Sequence, residues 1–298
     1  YGDRAVSADS EYGHVIMAWA DGFAWFWLLL CAAALGSFAN VLVYRLPMQI
    51  VREFDEVDSS KGGFNIAVPA SHCPNCHTPL KWWQNVPLMS FIWLKGRCAF
   101  CHAPIPRRYF WIELGTVLIA IACLSLFGIG VKALALFVLL YALWVLNWMD
   151  ALYQLLPDVL TLGLLWTGLL LRAWFAPMSL DDAVWGAVLG YVLLYLPHVL
   201  YLKWRGEVGL GLGDAKLLAA VGAWLGLVHV PTVLLLACVA GLMYGGVRFL
   251  GRARVTHRVE AQDLRDLRRV RIPFGPFISM ATALIVLWQH TLIFAGWQ

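Results

Sequence analysis

Charge is the scarcest property of this 298-residue chain: 13% of its residues are Asp, Glu, Lys or Arg, against 61% hydrophobic, and the mean hydropathy is +0.71. That balance excludes an ordinary soluble domain, where about a quarter of residues are charged. No low-complexity tract or internal repeat stands out. A glycine-rich nucleotide fingerprint following a strand is also missing, so no cofactor-binding residue can be assigned from pattern alone. The N-terminus lacks the polarity of a cleaved signal peptide. Asp3, Asp9, Glu11 and Asp21 outnumber Arg4 ahead of the first apolar run, and Arg45 follows it.

What remains is apolar runs, at Phe23–Tyr44, Phe110–Phe127, Val131–Met149, Val159–Phe175, Ala183–Leu202, about Val208–Val230, Val233–Leu250 and Ile272–Ala295. Most are long enough, at about 1.5 Å per residue, to cross a hydrocarbon layer of about 30 Å. They predict an all-α polytopic membrane protein with about eight transmembrane helices. Threading eight spans puts 19 of the 22 Lys and Arg on one side, in the loops around 45–109, 203–216 and 248–271. By the positive-inside rule that side is the cytoplasm and the N-terminus is periplasmic; Arg4, Lys132 and Arg172 fall outside it. The expected organisation is a periplasmic segment 1–22, a first transmembrane helix 23–45, a cytoplasmic insert 46–109 and a seven-helix membrane domain 110–298.

The insert is too short for a large core of its own. It holds "CPNC" (Cys73 and Cys76) and "CAFC" (Cys98 and Cys101), two C-x-x-C knuckles whose four thiolates suit a tetrahedral Zn²⁺. Two disulfides or free thiols are the alternatives, and a reducing cytoplasm argues against the former. His72, His77 and His102 flank the knuckles as surface residues. Cys31, Cys123 and Cys238 lie singly in apolar spans and behave as small hydrophobes.

Four acids sit at span ends, all toward the cationic side: Glu113, Asp150, Asp158 and Asp214. Ionisable groups in spans are costly. Asp158, just after Pro157, is placed to cap the next helix. Asp150 ends an unbroken apolar run with no cation within a turn in sequence. Asp214 follows Gly209, Gly211 and Gly213 and precedes Lys216, which can reach back toward water. The glycines read either as room for a closely approaching peptide or as a helix-packing face, with Asp214 then an interfacial anchor. If Asp150 and Asp214 face one another, they share a proton and form an aspartic-protease dyad.

These residues resemble the type IV prepilin peptidases, membrane aspartic proteases of the GxGD group. The resemblance is carried by "LGSFANVLVYRLP" (35–47), the knuckles with "KGRC" (95–98), "IELGT" (112–116), "DALYQLLPDVLTL" (150–162), "GLGDAK" (211–216) and "IPFGPFISMA" (272–281). It implies that Asp150 and Asp214 are catalytic; Gly211, Gly213, Lys216, Asp158 and Glu113 read beside them as substrate or supporting contacts. It further implies a bacterial inner-membrane enzyme that cuts the basic leader from prepilins and pseudopilins and then N-methylates the new terminus with S-adenosylmethionine. Its partners would be those substrates and the lipid bilayer, with no nucleic acid. Where many relatives carry a second acid, this chain has Leu152. Glu113 reads as a contact for the leader's cations or the new amine, or as a satisfied helix-end acid. Asn40 reads as an interhelical contact or part of the methylation site, and the basic stretch 248–271 as a topology or headgroup signal. Rival functions are a presenilin-like protease, for which a Pro-Ala-Leu triplet is missing, a transporter, and a non-catalytic zinc-stapled scaffold.

Overall fold

A computed structural model describes residues 3–54, 65–176, 179–207, 209, 211–255 and 273–293 of the chain, with the side chains of 3–21, 53–54, 249, 251–255 and 290–293 left aside. The described residues are almost wholly helical: α1 (Asp3–Phe54), α2 (Met89–Trp93), α3 (Arg108–Phe127), α4 (Val131–Tyr153), α5 (Asp158–Phe175), α6 (Leu180–Arg205), α7 (Leu212–Leu225), α8 (Val230–Val255) and α9 (Gly275–Ile293). Eight of these follow the eight apolar runs. Six are long and apolar enough to cross a membrane, within α1, α3, α4, α5, α6 and α8. The α7 helix, with 14 residues, is about 21 Å long and falls short of a bilayer core. In α9 the apolar stretch covers Gly275–Gln289. The α1 helix continues through Pro47 to Phe54, past the end its apolar run suggested. The basic stretch 248–271 lies mostly outside the described residues.

The chain divides into two compact units: Tyr1–Arg45 with Arg52–Phe137, and Leu46–Val51 with Val138–Gln298. In the first unit, Gly36 lets α1 approach α3 closely, since a Cβ there would lie 2.9 Å from the Cα of Glu113. Asn40 donates from Nδ2 to the carbonyl of Tyr109 at 3.2 Å and to Oε1 of Glu113 at 3.2 Å. It therefore serves as an interhelical contact, the first of its two expected readings.

The second unit is organised around α7, which packs against α5, α6, α8 and α9. From Leu217 to Leu225 every residue is buried, so α7 is apolar all round, the pattern of a helix enclosed by others. Its contact with α6 is backbone to backbone. A Cβ on Gly190 would lie 2.5 Å from the carbonyl oxygen of Leu218, and one on Gly186 would lie 2.5 Å from that of Gly222. Small residues at this spacing let helices close to van der Waals distance where lipid offers no hydrophobic drive. Trp224 reaches α5, donating from Nε1 to the carbonyl of Leu164 at 2.9 Å.

Buried Arg172 meets the end of α7. Its Nη2 donates to the carbonyl of Trp224 at 2.7 Å and its Nη1 to Ser179 Oγ at 3.0 Å. This explains one of the three cations outside the expected cytoplasmic set: it satisfies carbonyls left over at a helix C-terminus, where a positive charge is favoured. The backbone then turns at Gly226, whose φ of +87° suits glycine.

Gly190→Ala should lower the stability of the detergent-solubilised protein by about 1–3 kcal/mol, the usual range for overpacking. Gly163→Ala in α5, where a Cβ meets nothing within 4 Å, should leave it unchanged or slightly higher; thermal unfolding of the two variants checks the difference.

Candidate active site and metal centre

Asp150 stands in the last turn of α4 and is buried, with 5% of its surface exposed. The helix closes just beyond it at Gln154, whose φ is +52° and whose N–H bonds the carbonyl of Asp150 at 2.9 Å. Among the described residues one group meets its carboxylate: the N–H of Gly275, the first residue of α9, donates to Oδ2 at 2.9 Å. The first turn of a helix has N–H groups without intrahelical acceptors and a favourable dipole for an anion. The fit requires glycine. A Cβ on residue 275 would lie 2.8 Å from Oδ2 and 3.2 Å from Cγ of Asp150.

Asp214 lies in the first turn of α7, half-buried. The charge it feels is that of Asp150; among the described residues no hydrogen-bond donor reaches its carboxylate. The two acids come from distant parts of the chain and act on one another electrostatically; among the described residues one has a backbone donor and the other has none.

The glycines ahead of Asp214 are crowded by three side chains of the protein itself. A Cβ on Gly213 would lie 2.8 Å from Cβ of Leu156, and one on Gly209 would lie 2.6 Å from the ring of Tyr201. Gly211, extended at φ −71° and ψ 132°, is crowded by Asp214 itself, 3.0 Å from Oδ2 to its would-be Cβ. The reading of Asp158 as a cap is corrected. Pro157 takes the N-cap position, so Asp158 is one residue too far into the helix and makes no cap. Its carboxylate instead accepts from Lys216 Nζ at 2.6 and 2.7 Å, tying the first turns of α5 and α7 together. Lys216 is therefore engaged rather than free. With the Asp158 side chain 57% exposed, the pair contributes at most about 1 kcal/mol. Leu152 is 39% exposed and adds no carboxylate.

In the first unit, Glu113 has protein partners on both oxygens, the N–H of Leu88 to Oε2 at 2.7 Å and Asn40 to Oε1 at 3.2 Å. Leu88 has φ 60°, a conformation few side chains adopt, and the bond to Glu113 helps hold it.

The Sγ atoms of Cys73, Cys76, Cys98 and Cys101 all lie within 4.8 Å of one another. All four are free thiols in this structure. Cys73 and Cys101 are 3.8 Å apart, close to the sulfur–sulfur edge of about 3.8 Å in a tetrahedral site with metal–sulfur bonds of about 2.3 Å. The two knuckles share one backbone plan. Cys73 N–H bonds Thr78 O and His77 N–H bonds Cys73 O, while Cys98 N–H bonds Ala103 O and His102 N–H bonds Cys98 O, at 2.9–3.1 Å. His77 and His102 have φ 55° and 56°. Behind this lies a short repeat overlooked at the scale of whole helices: C-x-x-C-H-x-P occurs at 73–79 and again at 98–104. Backbone N–H groups of Cys101 and Phe100 hold the Cys98 thiol below its ordinary range, and the N–H of Ala103 with the amide of Asn75 does so for Cys101. Cys73 differs: the N–H of Cys76 favours its thiolate, but burial and the neighbouring thiols push it up to about 11, so Cys98 and Cys101 are the thiols best prepared for a metal cation.

Known proteins match the chain along both units. Residues 30–127 match the bacterial peptidase A24 N-terminal domain, and residues 137–246 the type IV leader peptidase family. A prepilin leader peptidase/N-methyltransferase of Aeromonas hydrophila is 37% identical over 291 residues, 93% of this chain and 96% of its own length. The chain belongs to the type IV leader peptidase family. Relatives of the same name are 41% identical in Burkholderia pseudomallei (strain 1026b), over 86% of this chain and 82% of theirs, and 35% identical in Pseudomonas aeruginosa, over 91% and 94%. No solved structure matches.

Within this type IV leader peptidase fold, Gly275 was the partner that sequence reasoning missed. Its signal was "FGPF" opening an apolar run, since Pro just inside a helix start marks free N–H groups. Cys98→Ser should reduce bound metal from one ion per chain to a small fraction of that, because three thiolates close a structural site poorly. Elemental analysis of the purified protein measures this directly.

Proposed function

We propose that this protein is a bifunctional membrane enzyme: an aspartic endopeptidase that removes the leader peptide of type IV prepilins and type II secretion pseudopilins, and an N-methyltransferase acting on the new terminus. The observation that supports the peptidase reading is a buried Asp150 held by the Gly275 N–H at the end of α4, with Asp214 in the first turn of α7 within its electrostatic reach. The relatives named prepilin leader peptidase/N-methyltransferase support both activities.

The asymmetry of the pair suggests a division of labour. Asp150, steadied as an anion by the Gly275 N–H, takes a proton from a water molecule as the water oxygen bonds to the scissile carbonyl carbon. Asp214, lacking a donor, carries the dyad's proton and gives it to the carbonyl oxygen. The tetrahedral intermediate then breaks its carbon–nitrogen bond. The proton on Asp150 passes to the departing nitrogen, and a hydroxyl proton returns to Asp214, restoring the starting state.

Substrate geometry supports this reading. A pilin's apolar helix partitions into the bilayer while its cationic leader stays in water, so the bond between them comes to the interface where the helix-end acids lie. The distribution of Lys and Arg supports a cytoplasmic face for the dyad and for the knuckles, in a multi-pass inner-membrane protein. Zn²⁺ is the ion that four thiolates at this spacing suit, and it would staple an insert with little core of its own. S-adenosylmethionine would supply the methyl group; no side chains here single out its pocket.

Asp150→Asn and Asp214→Asn should each cut the rate of leader cleavage by roughly 10²–10⁴-fold or more in a purified, reconstituted assay, the usual share of acid–base catalysis. Either variant cutting at the normal rate would refute the dyad. Gly275→Ala should lower kcat by about tenfold while leaving KM for the prepilin nearly unchanged, since its methyl group displaces Asp150 and not the substrate. Loss of KM alone would remove Gly275 from the chemistry.

A further inference from the structure

Residues 82–95 of the insert turn their largest side chains outward. Trp82 is 83% exposed, Trp93 76%, Ile92 62% and Met89 58%. Met89, Ile92 and Trp93 follow the i, i+3, i+4 spacing and so share one face of α2. An apolar face of this size left in water is unusual and marks an interaction surface.

The structure also says where this face lies. Phe91, from the same short helix, sets its ring 5.4 Å from that of Phe110, in the first turn of α3. Gly96 closes beneath the ring, with φ +66° and a would-be Cβ 3.0 Å from Cζ of Phe91. One turn further along α3, Glu113 holds the N–H of Leu88 at 2.7 Å. Glu113 is about 8 Å along the axis from Arg108, where α3 begins. Since Arg108–Phe127 is a membrane-crossing candidate, α2 is fastened to the first two turns of a span. That is the depth of the boundary between headgroups and acyl chains, where Trp is enriched.

Charge points the same way. From Asn65 to Ile112 the chain has no acidic residue, while Lys81, Lys95, Arg97, Arg107 and Arg108 flank the apolar face. Aromatic and aliphatic bulk on one face with cations around it is the pattern of a segment that lies in an anionic membrane surface.

We propose that α2 and Trp82 form an interfacial anchor that beds the metal-binding insert into the anionic leaflet at which α3 enters. The occupant of this face is lipid. The anchor does not depend on the aspartate dyad, and it places the second knuckle, which begins at Cys98, close to the bilayer surface by way of Lys95 and Gly96.

Placing the photo-crosslinking residue p-benzoylphenylalanine at Ile92 or Trp93, one at a time, tests this. The full-length protein is reconstituted in nanodiscs of phosphatidylethanolamine and phosphatidylglycerol, irradiated, and analysed by mass spectrometry. The control position is Pro74, exposed on the first knuckle. Both test positions should give about tenfold more phospholipid adduct than position 74, as expected for side chains within rather than above the interface. Because both are exposed, neither substitution disturbs the core, and each serves as a check on the other. Lipid adducts no more abundant than at 74, or capture of an added prepilin in their place, would overturn the anchor.

Discussion

A carboxylate removed from water costs several kcal/mol unless donors replace its hydration. Asp150 meets that demand with a single backbone N–H, at the start of α9. Helix starts are suited to the task because their N–H groups have no partner inside the helix, and proline at position 276 leaves the neighbouring residue with none to offer. Everything proposed for the second unit rests on this contact. It locates the charge of the acid pair, and it makes glycine at 275 a necessity of space rather than of backbone torsion.

The opposing acid is placed by different means. Asp214 rides on α7, a helix too short to cross a bilayer and enclosed by its neighbours. Two features hold that helix: the glycine contact with α6, which admits no side chain, and the guanidinium of Arg172 at its far end. These act along the helix and at its far end, and the Lys216–Asp158 pair fixes its first turn, so the position of the carboxylate is set by packing along the whole of α7.

The first unit solves a different problem. Its insert has a small core, and order comes from localised fasteners: four thiols drawn together by twinned backbone turns, the Glu113 carboxylate gripping Leu88, and Phe91 stacked near Phe110. Each joins the insert to itself or to a membrane helix. A polar block of this kind keeps large apolar side chains outside only if something other than water receives them.

Composition and hydropathy alone determined that the protein is helical and membrane-embedded, because apolar length is set against a fixed bilayer thickness. The clustered cysteines were legible for a similar reason: their spacing is local, and a C-x-x-C turn brings its own two thiols together. The acids Asp150 and Asp214 could be singled out as costly, yet the electrostatic influence of one on the other could not be read from spacing, since 64 positions separate them. Only the tertiary structure decided that Gly275 serves Asp150, that Asp158 binds Lys216 instead of capping its helix, and that the glycines before Asp214 are crowded by Leu156, Tyr201 and the aspartate itself. Such contacts depend on helix crossing and rotation, which follow from the packing of whole faces and leave no periodic mark along the chain.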